Sequence, residues 1–128
     1  MTQLRDIMTE DVLTVAPEDT LGEVATRMGE RNVGSVVVVD FGRLIGVLTE
    51  RDILKAVAAR THSSDARVRE WMTADPVTAT ADTPVEDAAR TMFDHGFRHL
   101  PIVDGERAIG IVSIRDVAEW GIAHAVDD

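Results

Sequence analysis

The sequence predicts a mixed α/β fold, two tandem β-α-β-β-α units packed sheet to sheet about a pseudo-twofold axis. Three observations carry this. First, the chain repeats itself at a fixed offset: Met8-Thr9 and Met72-Thr73 are 64 residues apart, and the same offset aligns Asp11 with Asp75, Thr14 with Thr78, Ala25 with Ala89 and Met28 with Met92. It continues through Val39-Asp40 with Val103-Asp104 and Arg51-Asp52 with Arg115-Asp116. A gapless register of this length marks a tandem duplication. Second, each copy alternates short apolar runs with amphipathic stretches in one order. Third, each half is too small to bury both of its helices alone, which calls for sheet-to-sheet packing. The repeats are set at residues 1–60 and 61–128.

Taken in order, each copy leads in with a short stretch ending at Met8 or Met72, followed by a brief strand near Leu13-Val15 or Val77-Ala79. An amphipathic helix comes next, apolar at Leu21, Val24, Ala25 and Met28, and again at Val85, Ala88, Ala89 and Met92. Capping boxes predict its starts, Thr20-x-x-Glu23 and Thr83-x-x-Glu86, the second with Pro84 at the first helical position. These boxes are 63 residues apart, so the second helix is expected to begin one residue early in its repeat. Two hairpins follow, Ser35–Val39 with Leu44–Leu48 and His99–Val103 with Ala108–Val112, turning at Asp40-Phe41-Gly42-Arg43 and Asp104-Gly105-Glu106-Arg107. Val36 to Val39 is apolar throughout, which predicts a strand covered on both faces. A second helix closes each copy, over Glu50–Ala59 and Ile114–His124, and the polar stretch Arg60–Ala66 reads as the linker.

Composition limits the function classes. Among 128 residues, 23 acids stand against 13 bases, a formal net charge of −10, which opposes binding to nucleic acid or an anionic membrane. No apolar run is long enough for a membrane span and the start carries no signal-peptide pattern. With no cysteine, disulfides, thiolate metal sites and cysteine nucleophiles are excluded, and a cytoplasmic location is expected. Every base except Lys55 is arginine, whose planar fork suits phosphate.

The most informative phrase occurs twice, Gly46-Val-Leu-Thr49-Glu-Arg51-Asp52 and Gly110-Ile-Val-Ser113-Ile-Arg115-Asp116. In each, an apolar strand ends in a hydroxyl residue and a helix carries an Asp three positions later. The arrangement is a legitimate capping box. It also gathers a hydroxyl, a carboxylate and free backbone amides, a cluster able to bind a ribose beside a phosphate. Glu or Gln is usual at the box's last position, yet Asp stands there twice. An arginine beside it in the first turn opposes the helix dipole by roughly 0.3–1 kcal/mol unless an anion is near.

With Asp6-Ile7-Met8-Thr9, Trp71-Met72-Thr73, Leu100-Pro101-Ile102-Val103-Asp104 and the two phrases Gly46-x-x-Thr49-x-x-Asp52 and Gly110-x-x-Ser113-x-x-Asp116, the chain resembles the cystathionine-β-synthase (CBS) domain family, as a tandem pair over roughly residues 4 to 122. The resemblance implies a regulatory module that binds adenosyl ligands (AMP, ADP, ATP or S-adenosylmethionine) in two clefts between the repeats and forms a homodimer. It implies that Asp52 and Asp116 hold ribose hydroxyls, and that Thr49 and Ser113 donate to ribose or phosphate, beside Arg51 and Arg115. It also implies adenine walls at Thr9, Leu13 and Val33 on the Asp116 side and at Thr73, Val77 and Phe97 on the Asp52 side. Repeat 2 has Arg98-His99 where family members often carry phosphate-binding bases. Repeat 1 has Gly34-Ser35 there, so the Asp116 side is expected to hold the phosphates.

Other residues have plainer roles. His95 and His99 have the spacing of a zinc pair, but Gly96 is expected to end the helix between them, so no metal site is expected. Trp71 and Trp120 suit core packing or a dimer interface, Met8 and Met72 a seam between repeats, and Asp127-Asp128 a solvated end. No nucleophile elbow, Walker loop, dinucleotide fingerprint or metalloprotease motif is present. The expectation is a non-enzymatic, stand-alone sensor without an obligatory cofactor, binding an adenine nucleotide or S-adenosylmethionine and acting in trans on another protein. The alternative is a ligand-independent interaction and dimerisation scaffold.

Overall fold

The computed structural model describes residues 1–125. A 3-10 turn at Leu4–Asp6 is followed by β1 (Thr14–Val15), α1 (Leu21–Arg31), β2 (Ser35–Asp40), β3 (Arg43–Thr49), α2 (Glu50–Ala58) and α3 (Val68–Trp71). Then come β4 (Thr73–Ala74), α4 (Val85–His95), β5 (His99–Asp104), β6 (Arg107–Ser113) and α5 (Ile114–His124). The fold is mixed α/β with the predicted element order, except that the strand expected near Val77-Ala79 in the second copy is reduced to a single bridge at Ala79. The expected tail at Asp127-Asp128 lies outside the described residues.

The sequence repeats 1–60 and 61–128 are not the compact units. Contacts divide the chain into Val12–Pro76 and a split unit of Met1–Asp11 with Val77–Asp128. Each leading segment therefore joins the body of the other repeat, and matched bonds hold it there. Leu21 N–H donates to Ala66 O at 3.0 Å, and Val85 N–H to Thr2 O at 3.1 Å. Val68 N–H reaches Asp19 O at 2.9 Å, as Leu4 N–H reaches Thr83 O at 2.9 Å. The linker is thus no free tether: Ala66 is buried, and Ser63 O accepts from Gly22 N–H at 2.9 Å.

In the 12–76 unit the sheet order is β1-β2-β3-β4, with β1 parallel to β2 and the other pairs antiparallel. The split unit has the β5–β6 hairpin, with single bridges at Ala79↔Ile102 and Thr9↔Ile111 standing where β1 and β4 stand in the first. Ser35 to Val38 are all buried, so β2 is covered on both faces there as the apolar run predicts, whereas Val39 is half-buried. Both hairpins shift register at the same place, between Val38 and Val39 and between Ile102 and Val103. The first turns through Phe41 (φ 51°) and Gly42 (φ 77°), the positive pair of a type I′ turn, whereas the second has Gly105 at φ 64°.

Helix α1 buries Leu21, Val24 and Met28 on one stripe, and α4 buries Val85, Ala88 and Met92. Thr20 caps α1, accepting from Glu23 N–H at 3.2 Å. The second start departs from expectation. Helix α4 begins at Val85, in strict register with Leu21, and Pro84 rather than Thr83 occupies the cap position. The Thr83 hydroxyl is already engaged, accepting from Thr80 N–H at 3.2 Å. The Thr80 hydroxyl in turn donates to Asp82 and holds that exposed carboxyl below the usual carboxylate range.

The leading segments explain the glycine that opens the repeated phrase. A Cβ on Gly46 would lie 2.6 Å from Met72 Sδ and 3.0 Å from Thr73 O. On Gly110 it would lie 2.7 Å from Met8 Sδ and 3.1 Å from Thr9 O. Only a bare Cα lets the Met-Thr segment cross so close. Trp71 and Trp120 pack on the cores of their respective units.

Candidate functional site

Both capping boxes form. Strands β3 and β6 run in extended conformation into Thr49 and Ser113, which become the N-caps of α2 and α5. Ser113 N–H donates to Asp116 Oδ2 at 2.8 Å, and Asp116 N–H returns a bond to Ser113 Oγ at 3.1 Å. In the other unit Thr49 N–H donates to Asp52 Oδ2 at 2.9 Å and Asp52 N–H to Thr49 Oγ1 at 3.4 Å. The Thr49 hydroxyl also reaches Asp52 Oδ2, at 3.1 Å. The first helical amide is taken in each case, Glu50 N–H by Gly34 O at 3.0 Å and Ile114 N–H by Arg98 O at 2.8 Å. Both aspartates are half-buried, and the cap uses one oxygen of each.

The remaining predicted residues divide by unit. In the split unit, His99 lies directly across the hairpin from Ser113, and exposed Arg98 touches the α5 N-terminus through its carbonyl. Exposed Thr9 exchanges bonds with Ile111 at 2.9 and 3.0 Å, two residues before Ser113. Asp116, Ser113, Arg98, His99 and Thr9 thus converge on one strand end. In the 12–76 unit, exposed Thr73 stands opposite Val47, two residues before Thr49, and so joins Thr49 and Asp52. Leu13 and Val33, assigned to the Asp116 side, belong to the 12–76 unit; Val77 and Phe97, assigned to the Asp52 side, belong to the split unit. The Leu13 side chain is in the core and its carbonyl accepts from Val37 N–H at 3.1 Å. Val33 and Phe97 are half-buried, whereas Val77 is exposed.

The two arginines beside the aspartates differ. Arg115 Nε lies 3.3 Å from Glu119 Oε1, so the anion that offsets its unfavourable place in the helix dipole is on its own helix. Exposed Arg51 has Lys55 at the corresponding position, a like charge. His95 ends α4, where Gly96 takes φ 74°, so it shares no helix face with His99. Among the described residues no group of three or more His, Cys, Asp or Glu is placed to hold a metal ion.

One residue was missed in the sequence. Glu50 lies with its carboxyl against Gly34, Cδ and Oε1 each 3.4 Å from where a Cβ would stand. In the split unit the same two positions hold Arg98 and Ile114. The signal was legible as a swap of Glu for Ile between aligned phrases, but it had no meaning until position 34 was known to meet it.

Two repeated α/β units, each ending a strand at a hydroxyl-capped helix start, define a class of protein, the paired repeat modules. The chain belongs to the CBS domain family, whose model matches residues 4–59 and 68–122. It is similar to the CBS domain-containing protein YhcV of Bacillus subtilis, 39% identical over 92% of this chain and 84% of that one. Among solved structures, it is similar to the CBS domain pair of protein MJ0100 in complex with 5′-methylthioadenosine and S-adenosylmethionine, at 30% identity and TM-score 0.86, covering 93% and 98% of the two chains. It also resembles a hexameric CBS-CP12 protein from bloom-forming cyanobacteria, at 27% identity and TM-score 0.87, covering 92% and 71%. CBS pair proteins are regulatory ligand-binding modules. Among the described residues no helix is long and apolar enough to cross a membrane.

Proposed function

We propose that the protein senses adenosyl ligands at the capped starts of α2 and α5 and signals by a change of assembly or partner contact, acting on a protein outside this chain. The observation that supports this best is the way the aspartates are used. Each cap occupies Oδ2 and leaves Oδ1 of a half-exposed carboxylate for outside donors, and a carboxylate has room for about four hydrogen bonds. Capping and ribose binding are therefore compatible. The cap positions the carboxylate, and a ribose diol supplies two donors to it. Arg98 and His99 beside Ser113 suit phosphate, so the split unit is the site for nucleotides. The adenosyl ligands of the related MJ0100 pair favour the same chemistry.

Signalling follows from linkage: a ligand that favours one arrangement of the module favours whatever binds that arrangement. A homodimer is part of this reading. Leu54 and Val57 on α2, and Ile122 on α5, are 67%, 62% and 75% exposed, apolar helix faces suited to a second copy.

Thermal unfolding with AMP, ATP, S-adenosylmethionine and adenosine tests the proposal. A ligand at 100 times its Kd adds about 2.7 kcal/mol of stability. The Asp116→Glu variant separates the two roles of Asp116, because Glu is the ordinary capping-box residue. It is expected to keep its melting temperature and lose nucleotide binding at the start of α5. A ligand-independent scaffold would respond to none of the four ligands.

A further inference from the structure

We propose that the two sites take different ligands: the Asp52 site admits an adenosyl group whose 5′ substituent is neutral or cationic, and Glu50 is the residue that keeps phosphate out. This rests on the proposed adenosyl function and specifies it for one site. Charge reverses between the two units at one aligned place. In the split unit, position 98 precedes the hairpin, gives its carbonyl to the first amide of α5 and carries an arginine. In the 12–76 unit, position 34 makes the same bond to α2 but has no side chain. The carboxyl of Glu50 lies beside that place, Oε1 and Oε2 3.4 and 3.5 Å from where a Cβ would stand. A cation at the entrance of one helix start is thus replaced by an anion at the other.

The consequence falls on the 5′ end of a bound nucleoside. A ribose held by Asp52, at the third helical position, would place its 5′ carbon near the first turn, where a phosphate would otherwise seek the helix amides. Glu50 puts a negative charge in that turn, beside Asp52. Arg51 and Lys55 on α2 oppose this. All three are exposed, and what sets Glu50 apart is that its carboxyl lies against the backbone at residue 34. A sulfonium or thioether meets no repulsion there. A phosphate does.

The Thr49 hydroxyl points the same way. It donates to Asp52 Oδ2, so its proton is used within the cap, whereas the cap of the split unit needs only the oxygen of Ser113. The 12–76 unit therefore offers a phosphate one fewer hydroxyl donor than the split unit offers.

Calorimetric titration of the Asp116→Glu protein isolates the Asp52 site while keeping both caps. It is expected to bind 5′-methylthioadenosine at least about tenfold more tightly than AMP, the effect of one unit charge beside a phosphate in a half-exposed site. Adding Glu50→Gln, which keeps the size of the side chain and the backbone N–H hydrogen bond to Gly34 O, should strengthen AMP about tenfold and leave 5′-methylthioadenosine within about twofold. An unchanged ratio of the two affinities in Glu50→Gln would overturn the assignment of Glu50. Equal affinities in the Asp116→Glu protein, or no binding of either ligand there, would overturn the divided specificity. Failure of the unaltered protein to bind any of these ligands would instead overturn the adenosyl function on which it rests.

Discussion

Replacing Gly110 with alanine probes the crossing on which the split unit depends. The new methyl would stand 2.7 Å from Met8 Sδ and 3.1 Å from both Met8 Cγ and Thr9 O. A carbon and a sulfur prefer about 1 Å more than that, so the Met8 side chain must give way. The Thr9 carbonyl cannot yield as easily, because it accepts from Ile111 N–H at 3.0 Å. Overpacking of this kind costs typically 1–3 kcal/mol. Taking about 2 kcal/mol for a chain of 128 residues, with an unfolding entropy of about 2.1 cal/mol/K per residue, the melting temperature should fall by about 7 °C. Calorimetry of Gly110→Ala, Met8→Ala and the double variant checks the cause. If the clash with Met8 is responsible, the double variant is more stable than the sum of the single changes by about 1 kcal/mol. Strict additivity, or a Gly110→Ala protein as stable as the parent, would refute the crossing.

Four further outcomes are expected. Thr20→Ala should lower stability by about 1 kcal/mol in chemical denaturation, because its hydroxyl caps α1. Thr83→Ala should show no loss of α4 capping, because its hydroxyl serves Thr80; equal loss of helix in the two would contradict the assigned cap. Phe41→Asn should raise stability by about 0.5–1 kcal/mol, since Phe41 is 96% exposed at φ 51° and Asn-Gly suits a type I′ turn. The double change Arg98→Ala and His99→Ala should weaken ATP binding more than adenosine binding in titration; equal losses would remove their phosphate role.

Much of the fold was legible because the duplication states each element twice. The amphipathic stripes, the hairpins with their Asp-Phe-Gly and Asp-Gly turns, and the Thr49 and Ser113 caps all follow from local chemistry. The exchange of leading segments was not legible in local chemistry; only the family resemblance, with Thr9 on the Asp116 side and Thr73 on the Asp52 side, implied it. Met8 matches Gly46 as well as it matches Gly110, and a perfect repeat contains nothing that says which partner is chosen. Distance along the chain points the wrong way for Met8, which stands nearer in sequence to Gly46 than to the Gly110 it meets. The false start at Thr83 has a similar origin. A box of Thr and Glu at the right spacing is local evidence, and the competing bond from Thr80 N–H belongs to a turn that the spacing does not reveal. At the candidate site the aspartates and their caps were readable, but Glu50 was not, since its effect depends on the empty place at Gly34 rather than on its own surroundings.

The central claim is that Asp116 holds a cap with one oxygen and a ribose with the other. A crystal structure of the protein with AMP tests this most directly. The account predicts ribose hydroxyls about 2.5–3.0 Å from Asp116 Oδ1, with Ser113 N–H still donating to Oδ2. AMP bound away from the start of α5, or a ribose that makes no bond to Asp116, would contradict it.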